Sequence, residues 1–374
     1  MRIALYIFLA LVALALGSFT WAYFYVTNIP TLEISENASL ENKIEQIDAY
    51  LQDLQEKGRF NGAILIAKDH QPLLMKGYGW HGMKKEKALT PQSSFRLASV
   101  SKQFTATGIL ILKEKGLLDL DAPVITYLKD YPYPEVKVRH LLNQTSGTPD
   151  NYMSLFEKHK EKKGDTLSIQ GMVQLVSQHP EEVLAKAGTT YQYSNTNYVL
   201  LAGIVETVSG QTFEAFMQSE LFEPMGMKNS RVWNLFSADE TFPNKTDDFD
   251  GMLKKTLKPT LLDGVAGDGA VFCSVEDFLI WDKFWYGNDI ISQESINEAF
   301  TPPSLPDGKE TNYGFGWVIQ GNMIWHNGSW LGARTFFGRN VKEKTCIALL
   351  DNSSNLNSEG ILREIQKAGI LKDK

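Results

Sequence analysis

Cysteine is nearly absent, with only Cys273 and Cys346 in 374 residues. One pair in so long a chain is no disulfide framework. Two buried free thiols are the plain reading, and pairing outside the cell is the alternative. The six histidines are scattered, with no His-Glu-x-x-His or comparable spacing, so no metal is expected. No Gly-x-Ser-x-Gly occurs, which excludes the nucleophile elbow of an α/β-hydrolase. Positive charge is short: 37 Lys and Arg face 44 Asp and Glu, a net charge of −7. With no basic cluster among aromatics, a nucleic-acid partner is excluded. Two glycine-rich stretches fail as phosphate binders. Gly77-Tyr78-Gly79-Trp80-His81-Gly82 leads into polar residues and Pro91 rather than an apolar helix, and Gly264–Ala270 lacks the lysine of a phosphate loop. No cofactor is expected.

Charge is also missing from Ile3 to Val26, behind a lone Arg2. Those 24 residues are long enough to cross a hydrocarbon core as a helix. Residues 1–26 therefore read as a membrane anchor, with a cleaved signal peptide as the alternative. Trp21, Tyr23, Phe24 and Tyr25 extend the apolar run like an interfacial aromatic belt, which favours the anchor. Either way the remainder lies outside the cytoplasm, periplasmic in a Gram-negative cell. Residues 27–39 read as a tether and 40–374 as the main domain.

Within that domain, Ile44, Ile47, Tyr50, Leu51 and Leu54 recur at helical spacing up to Gly58. Period-two strands follow at Gly62–Lys68 and Pro72–Gly77, joined by a turn. A helix starting near Ser99 closes at Gly116. His140, beside two leucines, reads as structural rather than catalytic. A polar loop from Gly188 enters an apolar helix that Asn195 or Asn197 could cap. Residues 234–262 are polar, with Asp247, Asp248 and Asp250, and read as a surface loop over or beside a site. Strands return at Phe315–Gln320, Met323–His326, Thr335–Arg339 and Cys346–Asp351, and a last helix starts at Ser358.

One short stretch carries chemistry. Ser99 precedes Lys102 by three residues, and on a helix such residues share a face. A serine hydroxyl is a weak nucleophile at neutral pH and needs a neighbouring base. Burial disfavours the charged form of an amine and so frees it to take a proton. Taken alone, Ser-x-x-Lys is common. Further along stand Tyr193-Ser194-Asn195 and His326-Asn327-Gly328, with Arg139-His140-Leu141-Leu142, Thr145-Ser146-Gly147 and Pro224-Met225-Gly226-Met227 as flanking text.

Taken in this order, from about Arg59 to Asn352, the motifs resemble the serine β-lactamase-like superfamily, in its class C β-lactamase, penicillin-binding and esterase branch. The resemblance implies an α+β fold. Its antiparallel sheet is built from both chain ends (about 40–98 and 311–374), and a mainly helical subdomain (about 99–310) is inserted. It also implies an acyl-enzyme on Ser99, with Lys102 and Tyr193 sharing the proton traffic. A phenol, with a pKa of about 10 in model peptides, is a poor base at neutral pH unless a cation stands close. Asn195 would hold Lys102 or the substrate amide. The backbone N–H groups of Ser99 and Ser329 would form the oxyanion hole, with Gly328 small enough to let substrate lie close.

The usual Lys-Thr-Gly is replaced here by His326-Asn327-Gly328, and Lys344-Thr345-Cys346 lacks the glycine. A largely neutral His326 weakens the hold on a substrate carboxylate unless Arg334 substitutes. The histidine variant resembles the family's esterases, amidases and D-amino-acid peptidases. The expected activity is hydrolysis of an ester, amide or D-amino-acid peptide, small-molecule or peptidic. A β-lactamase, or a penicillin-binding sensor that acylates without turnover, is the alternative.

Overall fold

Strand β1 (Gly62–Lys68) sends alternate side chains to opposite faces. Ala63, Leu65 and Ala67 join one buried cluster, while Ile64 and Ile66 join another. The C-terminal strand Thr345–Asp351 divides in the same way, with Cys346, Ala348 and Leu350 on one side and Ile347 and Leu349 on the other. A sheet coated on both faces follows, and each fully buried leucine or isoleucine contributes roughly 1.5–3 kcal/mol.

The computed structural model describes residues 29–35, 37–160, 167–235 and 242–371, together with positions 12, 14, 16, 17 and 20. Most of the stretch expected as an anchor or signal lies outside them. Among the described residues no helix is long and apolar enough to cross a membrane.

Six strands form the sheet: β1, β2 (Gln71–Tyr78), β3 (Val318–Gln320), β4 (Met323–Trp330), β5 (Ala333–Asn340) and β6 (Thr345–Asp351). Their order is β2-β1-β6-β5-β4-β3 and every pairing is antiparallel. The sheet thus joins the two chain ends, as the fold class requires. At the β1–β2 hairpin, Asp69 and His70 take φ of 49° and 61°, the left-handed pair that suits a tight hairpin turn.

The outer face is covered by helices α1 (Leu40–Glu56) and, near the C-terminus, Ser358–Lys367, through Ile44, Ile47, Leu51, Leu54, Ile361 and Ile365. Ser39 starts α1 by accepting the Asn42 N–H at 3.2 Å. Part of the presumed tether is docked here. Leu32 is buried, its N–H donates to Glu364 Oε2 at 3.1 Å, and the Tyr50 hydroxyl donates to the Pro30 carbonyl at 2.9 Å.

On the inner face stand α2 (Lys102–Glu114), α3 (Val138–Leu142), α4 (Tyr152–His159), α5 (Ile169–Gln178), α6 (Asn195–Ser209) and α7 (Val275–Phe284). Helices α2 and α6 are buried nearly all round and pack against each other at the centre. On the side of α2 that faces α7, Phe104 stacks on Trp281 with ring centroids 4.2 Å apart. Both cysteines are free and buried.

Strand β4 runs past His326 to Trp330, four residues beyond the sequence expectation. Its register with β5 continues to Trp330 opposite Ala333, turned by Leu331 at φ 48°. His326-Asn327-Gly328 therefore lies within a strand. Conversely, Phe315 to Trp317 bends instead of pairing. Gly316 has φ 80°, and a Cβ there would meet the Lys102 carbonyl at 2.7 Å. With β3 so short, it pairs only Met323 to Trp325, and β4 from His326 onward has a strand partner on the β5 side alone.

Candidate active site

Ser99 sits in a single 3-10 turn, Ala98–Ser101, that leads into α2. Ala98 just before it has φ 49°, a left-handed conformation that costs a non-glycine residue about 1–3 kcal/mol. The turn is held from both sides: the Leu97 N–H donates to Val271 O at 2.9 Å, and the Val271 N–H donates to Ser101 Oγ at 3.1 Å. Between Ser93 and Leu112 every residue except Ser99 is buried. The strained turn lifts one hydroxyl out of an otherwise closed interior.

Gly328 faces this hydroxyl from β4. A Cβ on it would overlap the Leu97 carbonyl and come within 3.0 Å of the Ser99 nitrogen. The strand can approach the Ser99 amide only because residue 328 has no side chain. Ser329, next on β4, shares with Ser99 the lining of a cavity of about 100 Å³, together with Tyr152, Asn195, Asp268 and Trp330.

Lys102 is fully buried, and its Nζ donates to Ser99 Oγ at 3.2 Å, Asn195 Oδ1 at 2.9 Å and Asp268 O at 2.9 Å. Three acceptors for three protons is the complement of an ammonium rather than of the neutral amine the sequence reading favoured. Its Nζ also lies 5.0 Å from the ring centroid of Tyr193, which brings the phenol to the same group. Asn195 belongs to the first turn of α6. Ser194 occupies the cap position, leaving the Asn195 side chain to Lys102.

His326 is 3% exposed. Its Nδ1 lies 2.6 Å from Asn327 O, so that nitrogen carries the proton and Nε2 accepts the Tyr313 hydroxyl at 3.0 Å. Burial, reinforced by the Lys102 charge, lowers its pKa to about 3. The ring is neutral at any ordinary pH.

Arg334 is not brought to this cavity, against expectation. Thr335 turns inward, its hydroxyl donating to Leu97 O at 2.7 Å, so pleat alternation turns Arg334 outward. There its Nη1 donates to Leu331 O at 3.1 Å and Ala333 O at 2.7 Å, and the residue lines grooves on other faces.

Several residues near the site escaped the sequence reading. Asp268 supplies a carbonyl to Lys102 and accepts the Tyr152 hydroxyl on Oδ2 at 2.8 Å. Burial pushes its carboxyl up, against the pull of the Lys102 charge and the Tyr152 hydrogen bond. The available signal was its place between Gly267 and Gly269, in a stretch dismissed only as a phosphate loop. Arg96, also lining the cavity, is buried between Asp248 Oδ2 at 2.8 Å and Asp263 Oδ1 at 2.7 Å. Within 234–262 Asp248 is interior, whereas residues 251–260 are almost all exposed, as a surface loop beside the site requires. His140 lies away from the cavity, accepts the Lys137 N–H at 3.2 Å, and is lowered to about 4 chiefly by burial.

A serine presented beside a buried lysine at the junction of an antiparallel sheet and a helical subdomain, closed by a strand glycine, defines the serine β-lactamase/transpeptidase-like class. A family profile described as Beta-lactamase matches residues 47–372. The chain belongs to the Beta-lactamase family. A penicillin-binding protein of Bacillus subtilis (strain 168) is 34% identical over 328 residues, covering 83% of this chain and 72% of that protein. A D-aminopeptidase of Gluconobacter oxydans (strain 621H) is 24% identical over 78% of this chain and 55% of its own length. Among solved structures, the octameric penicillin-binding protein homologue from Pyrococcus abyssi superposes with a TM-score of 0.73 at 26% identity, covering 88% of this chain and 77% of that one.

Proposed function

We propose that the chain is a serine hydrolase that works through an acyl-serine intermediate on esters, amides or D-amino-acid peptides, and that it does so outside the cytoplasm. The observation that carries this reading is the contact of Lys102 Nζ with Ser99 Oγ at 3.2 Å, where Gly328 abuts the Ser99 amide. Ser99 Oγ attacks the substrate carbonyl and gives its proton to the Lys102–Tyr193 pair. The amides of Ser99 and Ser329 receive the oxyanion, a role in which each donor is worth about a hundredfold or more in rate. The proton then passes to the leaving group, and water releases the acyl group from Ser99.

The substrate class follows from what the site lacks. His326 is neutral and Arg334 points away, so neither stands ready for a substrate carboxylate. That favours neutral ester and amide carbonyls, and the D-aminopeptidase relative acts on substrates of the second kind. A second reading, a penicillin-binding sensor or a β-lactamase, draws on the penicillin-binding relatives. The location rests on the uncharged N-terminal stretch, where Val12, Leu14 and Leu16 are exposed and helical rather than packed in the core.

Intact mass of the wild type and Ser99→Ala, after a penicillin and after a short activated ester, separates the readings. The hydrolase predicts rapid ester turnover that the variant loses. A lasting penicillin adduct with slow ester turnover favours the sensor, and equal labelling of both proteins removes Ser99 from the mechanism.

A further inference from the structure

Helix α6 begins against the loop 144–151, and one carboxylate makes four of the hydrogen bonds at that junction. Asp150 Oδ1 accepts the Thr196 N–H at 2.9 Å and the Thr196 hydroxyl at 3.1 Å, and the Ser194 hydroxyl donates to it at 3.4 Å. Thr196 Oγ1 in turn accepts the N–H groups of Asn151 and Tyr152, at 3.0 and 3.1 Å. This half of the carboxylate caps the helix. The other half does something a cap does not require. Asp150 Oδ2 accepts Asn195 Nδ2 at 3.2 Å, and the oxygen of that same amide accepts Lys102 Nζ at 2.9 Å.

A side-chain amide has a donor end and an acceptor end, and turning it over exchanges them. A carboxylate only accepts. Asp150 therefore decides which end of Asn195 meets Lys102. With the amide nitrogen drawn to the carboxylate, the oxygen must face the ammonium. Turned over, the amide would set a donor against a donor and release Lys102 from one of its three holds.

We propose that Asp150 is a positioning residue for the Ser99–Lys102 pair, acting through the polarity of the Asn195 amide. No local pattern points to it, since Asp150 lies 45 positions from Asn195 and follows a proline in what reads as an ordinary turn. In its kinetic arm the inference rests on the hydrolase reading, and its spectroscopic arm does not.

Asp150→Asn tests it with little change of shape. The new amide oxygen can keep capping Thr196, which leaves an NH₂ facing Asn195 Nδ2 and forces one amide to turn. In the full chain with p-nitrophenyl acetate, the expected result is a kcat lowered about tenfold or more, with KM within about twofold and a melting temperature within about 3 °C of wild type. The reciprocal change Asn195→Asp restores an acceptor to Lys102 once residue 150 can donate. The double variant Asp150→Asn/Asn195→Asp should therefore run at least about threefold faster than the slower single variant. Independently of catalysis, the Asn195 side-chain amide signals in a ¹⁵N spectrum, identified by their loss in Asn195→Asp, should move in Asp150→Asn. Unmoved signals overturn the proposal whatever the wild type hydrolyses. A kcat within twofold of wild type, or a double variant no faster than its slower parent, overturns it where the wild type is active.

Discussion

Arg96 and Lys102 lie six positions apart, both buried, around one cavity, and the protein treats their charges in opposite ways. Arg96 is clamped between two carboxylates, Asp248 and Asp263, and stands 5.0 Å over the Phe272 ring. Its charge is spent on holding the 245–264 segment against the start of the Ser99 turn. Lys102 meets a hydroxyl, an amide oxygen and a backbone carbonyl, with no carboxylate in direct contact. Its charge is oriented but not neutralised, so it remains available to whatever negative charge develops on Ser99, Tyr193 or a bound carbonyl. The difference separates a cation that organises the fold from one that can take part in a reaction.

Lys102→Met gives the largest expected effect and tests one side of that comparison. Loss of the cation should lower kcat for an activated ester by about 10²–10⁴. Stability should hardly change. A desolvated charge disappears, the volumes are similar, and the acceptors Asn195 and Asp268 line a cavity that water can enter. A Lys102→Met protein that kept its rate, or that lost stability as a broken ion pair would, would show the contrast to be mistaken.

Arg96→Met should behave in the reverse way. Two carboxylates, 7% and 4% exposed, would be left without their cation, at a cost of about 3–5 kcal/mol in unfolding free energy. Measured on the fraction still folded, activity should fall much less than in Lys102→Met. Denaturant unfolding beside ester turnover on the same preparations gives both numbers. The comparison fails if Arg96→Met costs rate but not stability.

Much of this was legible in one dimension, and the parts that were not share a cause. Ile44 to Leu54 declare their helix because its periodicity is local, and Ser99 and Lys102 declare their contact because three residues is one turn. The two faces of β1 are likewise written in alternate residues. Asp268, which helps complete the Lys102 site, lies 166 positions away, and Asp248 lies 152 from Arg96. No local pattern announces a partner at that range. Arg334 shows the opposite failure. It is the right residue type close to the right motif, but the parity of the pleat decides which face it takes, and that parity depends on where β4 and β5 pair. Ala98 carried no signal at all, since alanine is not a residue that marks a left-handed turn.

The third basic side chain near the cavity, His326, sharpens the comparison further because it carries no charge. Its folded-state pKa is lowered to about 3, first by burial and then by Lys102. In the unfolded chain a histidine takes its proton near pH 6.5. Below that value the unfolded state binds a proton that the folded state refuses, so this group's contribution to stability is complete above about pH 6.5 and falls steadily as the pH drops towards 3. At pH 5 the loss is on the order of 2 kcal/mol. His326→Asn keeps an acceptor within reach of the Tyr313 hydroxyl but has nothing to titrate. Its unfolding free energy should therefore decline less than that of the wild type between pH 7 and pH 5, by roughly that amount. Parallel denaturant curves at the two pH values measure the difference. Equal declines would mean that His326 takes up its proton as readily in the folded protein as in the unfolded chain, and a third cation would then stand near Ser99 at pH 5.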